Sequence, residues 1–280
     1  MSKMSKTLRK ILKLPITLPL RFPFIRRRVA FEMRQYFGDL KFDIPLTDGL
    51  GCPIGHWDSI HSFTEMFVVN EYGGFLDAMP LPGRWLDLGC HAGYFTLFLA
   101  WKNAVAGRAA DWRALLIDAD PRMAPLTAWT LERNGLGRNA RFIQGMIGEG
   151  TGERAFALRE GMGSSSQVDA LPAQEIRTVP CITAADIIQA FPPPYDLIKV
   201  DIEGGEYDFV RNYPQLCRGA SWLLLEWHSG DAEGSGQGKL RELCAGIGFE
   251  HAGEMRPHRH LQIGGGWFSS GIDLYRRKDA

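Results

Sequence analysis

Three carboxylic acids fall within six residues at Asp201-Ile-Glu203-Gly-Gly-Glu206, directly after the run Tyr195-Asp-Leu-Ile-Lys-Val200. Carboxylates this close repel one another, so each needs a hydrogen-bonded partner, a proton or a cation. Helix capping around a turn accounts for Glu206 but hardly for all three. A second run, Ser221 to Trp227, ends on Glu226-Trp227-His228. In a parallel sheet its tip lies beside the first, which would gather Asp201, Glu226 and His228 in one crevice. Two chemistries suit that set. One is general-base removal of a proton from a hydroxyl group. The other is a divalent cation such as Mg, ligated by the same three residues, which would acidify that hydroxyl. A plainer alternative leaves Asp201 only to orient a substrate.

A cosubstrate is predicted from a different stretch, Arg84 to Ala100, RWLDLGCHAGYFTLFLA. The apolar run Trp85 to Leu88 reads as a strand. Tyr94, Leu97, Phe98 and Trp101 then recur at helical spacing. Between them lies a glycine turn, and Asp87 before it is costly inside a strand unless it meets a polar partner or ligand. The turn is Gly89-x-x-x-Gly93, with His91 where a phosphate-binding G-x-G-x-x-G loop needs its middle glycine. A cofactor without phosphates and with a cationic amino-acid end fits better, namely S-adenosylmethionine. Its expected contacts here are Asp87, Gly89, His91, Gly93 and Tyr94. The next predicted strand, Arg113 to Asp118, ends 31 residues beyond Asp87 on a second carboxylate. Asp118 there suits both hydroxyls of a ribose, with Ala119 beside it and Met146-Ile147 along an adenine. Asp201 completes the expected cofactor set. Asp120-Pro121 reads as N-cap and first residue of the following helix, which stops near Asn134-Gly135.

Positioning these groups takes an open α/β sheet. Further strands are predicted at Arg141–Gln144 and Ile176–Val179. Glu149 to Pro172 reads as a hairpin insertion or mobile loop. Thr183-Ala-Ala-Asp186 is a capping box opening a helix that ends before Pro192. Lys239 to Gly246 is helical, and Gly248–Met255 and Gly271–Arg276 close the sheet. The loop expected between them carries His258 and His260, which either touch an anionic substrate or are solvated. The predicted class is α/β, a mostly parallel seven-stranded sheet flanked by helices over residues 81–280. Residues 37–80 are predicted as a helical cap, in which Phe63, Phe67 and Val68 share a face. Glu65 and Tyr72 on that cap either reach the site or stay at the surface.

Composition narrows the partners. The 280 residues are 45% hydrophobic with a formal net charge of zero. Of 32 basic and 32 acidic residues, ten and one lie in 1–36, leaving 22 and 31 in the body. A net acidic body lacks the basic stripe that nucleic acid requires, and no strand tip carries an N/D-P-P-Y/F/W tetrapeptide. The basic, proline-broken arm 1–36 lacks the apolar core of a signal peptide. It reads either as a peripheral contact with the inner face of a membrane, or as a solvated or oligomer-packing arm. Five scattered cysteines without C-x-x-C spacing indicate reduced thiols and a cytoplasmic setting.

Together these stretches resemble the FkbM family of S-adenosylmethionine-dependent methyltransferases over roughly residues 61 to 228. The resemblance rests on the DxGxxxGY turn (Asp87, Gly89, Gly93, Tyr94), on D-x-D-P at Asp118, on the box at Thr183, and on KVDIEGGE followed downstream by Glu226 and His228. His91 stands where the family usually carries asparagine, and Asp118 where it usually carries glutamate. The resemblance implies a Rossmann-like class I methyltransferase fold. It also implies O-methylation of a hydroxyl on a sugar, a polysaccharide or lipid-linked glycan, or a glycosylated natural product. Two rivals remain on the same sheet. A nicotinamide-dependent oxidoreductase lacks its middle glycine here. A non-catalytic cofactor-binding scaffold of a glycan assembly complex would not need both Asp87 and Asp118.

Overall fold

The computed structural model describes residues 25, 28, 41–47, 49–55, 57–148, 151–159, 175–230, 236–263 and 266–279. The basic arm lies outside them apart from Ile25 and Arg28. The predicted cap opens on a hairpin rather than a helix. Strands β1 (Phe42–Thr47) and β2 (Leu50–Ile54) pair antiparallel around Gly49. The Asp-Gly step between two short apolar runs is the signal for that turn, and it overrides any helical pattern. Helix α1 (Trp57–Phe63) follows and continues as a π-helical segment, Thr64–Val69, ended by Asn70 in a left-handed conformation. Phe63 and Val68 are buried on it, and Phe67 packs edge-on against Phe98 and Trp101, as the spacing requires. A short α2 (Phe75–Ala78) leads into the sheet.

The predicted alternation of strand and helix follows. It comprises β3 (Arg84–Leu88), α3 (Tyr94–Val105), β4 (Arg113–Asp118), α4 (Met123–Arg133) and β5 (Ala140–Gln144). Helix α4 starts two residues later than expected. Asp120 instead accepts the Arg122 backbone N–H (2.9 Å) and pairs with its guanidinium (2.6 Å), closing the turn before the helix. A side sheet comes next, in the order β6 (Met146–Ile147), β8 (Glu175–Ile182), β7 (Glu153–Leu158). Of the stretch 149–172 expected as a hairpin insertion or loop, the described residues 151–159 carry β7, which pairs antiparallel with β8, and 160–174 lie outside the described set. Helix α5 (Ala184–Ala190) has the predicted capping box, with Asp186 and Thr183 bonded both ways.

The chain then returns through β9 (Tyr195–Val200), α6 (Glu206–Asn212), α7 (Pro214–Cys217), β10 (Ala220–Ser229) and α8 (Gly236–Gly246). It ends on β11 (Phe249–Ile263) and β12 (Gly266–Arg277). These two are far longer than predicted, so His258 and His260 stand on a strand and not in a loop. Backbone pairing with three register shifts carries the hairpin through a polar stretch that shows no alternation. Among the described residues the sheet order is β11-β12-β10-β9-β3-β4-β5. The strands β5, β4, β3, β9 and β10 run parallel, and β12 and β11 antiparallel. This is a Rossmann-like doubly wound sheet. The middle strands are apolar because helices cover both faces. Order reverses between β3 and β9, and a sheet of this kind opens its ligand crevice outside the strand ends at that point. No helix of the described residues is long and apolar enough to cross a membrane.

Candidate functional site

The glycine turn after β3 is laced to its neighbours by backbone bonds. Gly89 and Cys90 donate to the Ile117 carbonyl of β4 (2.9 and 3.1 Å), and Asp201 donates to the Leu88 carbonyl of β3 (3.0 Å). Gly89 has φ +71, and a Cβ there would stand 1.6 Å from the Asp201 carbonyl oxygen. Only glycine lets the β3 and β9 tips approach this closely.

A crevice opens over these tips. Of the residues expected to contact a cofactor, Gly89, His91, Asp118, Ala119, Met146, Ile147 and Asp201 line it, together with Ile117, Met123, Phe156 and Glu203. Asp118 accepts the His91 backbone N–H (2.7 Å) on one oxygen and that of Asp120 (2.8 Å) on the other. Burial pushes its carboxyl up to about 6, although those two N–H groups oppose the shift. Each carboxylate oxygen has a second lone pair for a further donor. The wall of Met146, Ile147 and Phe156 is apolar, which suits an aromatic ring.

Three expected cofactor contacts do not line the crevice. Asp87 is fully buried, accepts from the Thr96 hydroxyl (2.8 Å), and faces the Lys199 ammonium (3.6 Å). Burial raises its pKa against the pull of Lys199 and Thr96. Gly93 caps α3 and packs against Leu116. Tyr94 is buried under the hairpin, its hydroxyl donating to the Pro53 carbonyl. All three hold the turn in place.

At the acid-rich tip every carboxylate has a protein partner. Glu206 is buried and staples its own turn, accepting from the Ile202 (3.0 Å) and Gly204 (3.1 Å) N–H groups and contacting His228 Nδ1 (3.2 Å). Asp201 lies 3.3 Å from Lys199 Nζ and 3.4 Å from the Tyr72 hydroxyl. Glu203 sits in the left-handed region (φ 53) with its carboxylate 3.9 Å from His228 Nε2. Burial pushes Glu203 up to about 7, against the attraction of His228. Burial opposes charge on His228, but Glu203 and Glu206 outweigh it and hold the imidazole protonated well above its ordinary value.

Glu226 does not line the crevice, though its carboxylate lies 3.9 Å from His228 Nε2. Arg256 Nη2 lies 2.6 Å from that carboxylate and the Tyr72 hydroxyl donates to it, so the cap does reach the strand tips, through Tyr72. Glu65 instead pairs with His61 (3.0 Å). The expected metal set of Asp201, Glu226 and His228 is therefore not assembled. The groups that do cluster are Asp201, Glu203 and His228, with ligand atoms within 4.8 Å of one another. Lys199 Nζ lies 3.3 Å from Asp201 and Arg256 Nη2 2.6 Å from Glu226, so two of the three expected ligands already face a protein cation. The set expected from the sequence does not fit a divalent cation. In the sequence Glu203 stood out only as one of three crowded acids, without a role of its own, and Lys199 and Arg256 did not stand out at all. KVDIEGGE contains the first two, but its spacing could not say which acid faces the crevice.

A protein-family description, "Methyltransferase FkbM domain", matches residues 87–256. No curated protein matches the chain. Among solved structures, the precorrin-6y C5,15-methyltransferase of Geobacter metallireducens is similar at 10% identity and a TM-score of 0.44, covering 75% of this chain and 88% of that one. An O-methyltransferase from Bacillus cereus, in complex with SAH, is similar at 14% identity and a TM-score of 0.44, covering 75% and 80%.

Proposed function

As the chain belongs to the FkbM methyltransferase family, we propose that it transfers the methyl group of S-adenosylmethionine to a hydroxyl of a sugar, a glycan or a glycosylated natural product. One observation carries the cofactor: Asp118 and the apolar wall of Met146, Ile147 and Phe156 share a crevice that lacks a phosphate-binding loop. Asp118 would hold the ribose, that wall the adenine, and Gly89, His91 and Asp201 the amino-acid end. When bound, the cofactor supplies a methyl group already activated for displacement.

The chain's own task is to align an acceptor oxygen and take its proton. Geometry favours Glu203 for the proton. It lines the crevice beside Asp201, whereas His228 is already protonated and Glu226 is held by Arg256. The His228 imidazolium balances the negative charge that Glu203 carries until it takes the proton. Replacing Glu203 by glutamine is expected to lower kcat by about 100-fold or more with little change in donor affinity. A kcat within a few-fold of wild type would remove Glu203 from the mechanism.

Calorimetric titration with S-adenosylhomocysteine tests the cofactor. Saturable binding is expected, with none for NAD, and the reverse result would favour the oxidoreductase. Assay of methyl transfer to sugar and glycan hydroxyls then tests the acceptor class. The excess of ten basic residues over one acidic in 1–36 supports a peripheral contact of the arm with anionic lipid.

A further inference from the structure

Lys199 stands in the middle of the sheet, opposite Asp87 on β3 and Leu224 on β10, and is 3% exposed. An ammonium group carries three donors and no acceptor. Three acceptors surround this one: the Gly89 carbonyl at 2.8 Å, Asp201 Oδ2 at 3.3 Å and Asp87 Oδ1 at 3.6 Å. The far oxygen of Asp87 is fixed by Thr96, whose hydroxyl in turn accepts the Trp85 indole N–H (3.1 Å). The chain Trp85–Thr96–Asp87–Lys199 therefore ends on two groups that line the crevice, Gly89 and Asp201.

A buried ion pair of this kind is a poor source of stability, since apolar residues of similar size commonly do as well or better. Its value here is geometric. The two crevice groups belong to different strands, on either side of the point where the sheet order reverses, and Lys199 spans them.

We propose that Lys199 is a positioning residue for methyl transfer, fixing the Gly89 carbonyl and the Asp201 carboxylate at one spacing around the amino-acid end of the donor. Asp87 then serves the ammonium and not the ligand, which accounts for a motif aspartate with no exposed surface. The inference rests on the donor reading above and goes beyond it in naming what holds the donor site in shape.

The test compares wild type, Lys199→Met and the charge-balanced Asp87→Asn/Lys199→Met variant. Melting temperature, the S-adenosylhomocysteine dissociation constant, and KM for donor and acceptor are measured for each. Lys199→Met leaves Asp87 buried without its cation and is expected to melt early. The double variant removes both charges and is expected to melt near wild type, yet to bind S-adenosylhomocysteine at least about tenfold more weakly, because misplacing a ligand-holding group by about an ångström has effects of that order or larger. Donor KM is expected to rise with acceptor KM unchanged. A double variant that binds like wild type would overturn the proposal and leave the pair as a fold element. Absence of binding by wild type itself would instead overturn the donor reading, and this inference with it.

Discussion

Asp118 and Glu203 are both carboxyls lifted by burial, one to about 6 and the other to about 7, and they answer to pH in different assays. In the proposed donor site a ribose hydroxyl would donate to an ionised Asp118. Affinity for S-adenosylhomocysteine is therefore expected to fall as pH drops through about 6, a slope that calorimetry between pH 5 and 8 would record and Asp118→Asn would flatten. Glu203 bears on stability. Its pKa is higher folded than unfolded, so its contribution is complete below the unfolded value of about 4.3 and is lost as pH rises towards 7. The raised pKa of His228 acts in the same sense, its stabilising charge being lost only as pH climbs well past the ordinary imidazole range. The melting temperature of the ligand-free protein is thus expected to fall, relative to Glu203→Gln, between pH 4.5 and 7. A constant difference over that window would show that Glu203 titrates as an ordinary surface acid.

At the scale of elements, the site is a set of joints. Arg256 on β11 bonds Glu226 on β10 (2.6 Å) and Glu71 of the cap (3.2 Å), all three side chains being largely buried. Replacing Arg256 by methionine strands two carboxylates and is expected to cost about 3 kcal/mol in urea unfolding, with part recovered by adding Glu226→Gln. Gly89→Ala forces a Cβ onto the Asp201 carbonyl and is expected to cost about 2 kcal/mol or more, with loss of donor binding. These joints mark the limit of what the sequence discloses. The tips of β3, β4, β9 and β10 are legible because each is a buried apolar run ended by an acid or a glycine, and that pattern has one main use in a parallel sheet. The hairpin at Phe42 to Ile54 hides because its runs are short and its turn signal is one dipeptide. Glu226 is legible as a tip residue, but its pairing with Arg256 is not, since the two are brought together only by the register of β10, β12 and β11. Asp87 is legible as the acid of the turn, but its burial against Lys199 is not, since the two meet only through the pairing of β3 with β9.

Across the whole sequence, a stretch with ten basic residues and one acidic, 1–36, precedes a net acidic body. If the arm meets anionic lipid, deletion of residues 1–36 is expected to abolish co-sedimentation with phosphatidylserine-containing vesicles at low salt, while S-adenosylhomocysteine affinity stays as in the full chain. Equal sedimentation of both forms would leave the arm to another role. The body's claim is broader, that a crevice at the reversal point of a doubly wound sheet delivers a methyl group to a sugar hydroxyl. The most direct measurement is mass spectrometry of surface glycans from host cells with and without this protein, and from cells carrying Glu203→Gln. One sugar is expected to carry the mass of a single added CH2 only where the intact protein is present. Identical glycan masses in all three, with S-adenosylhomocysteine still bound by the purified protein, would contradict the glycan reading.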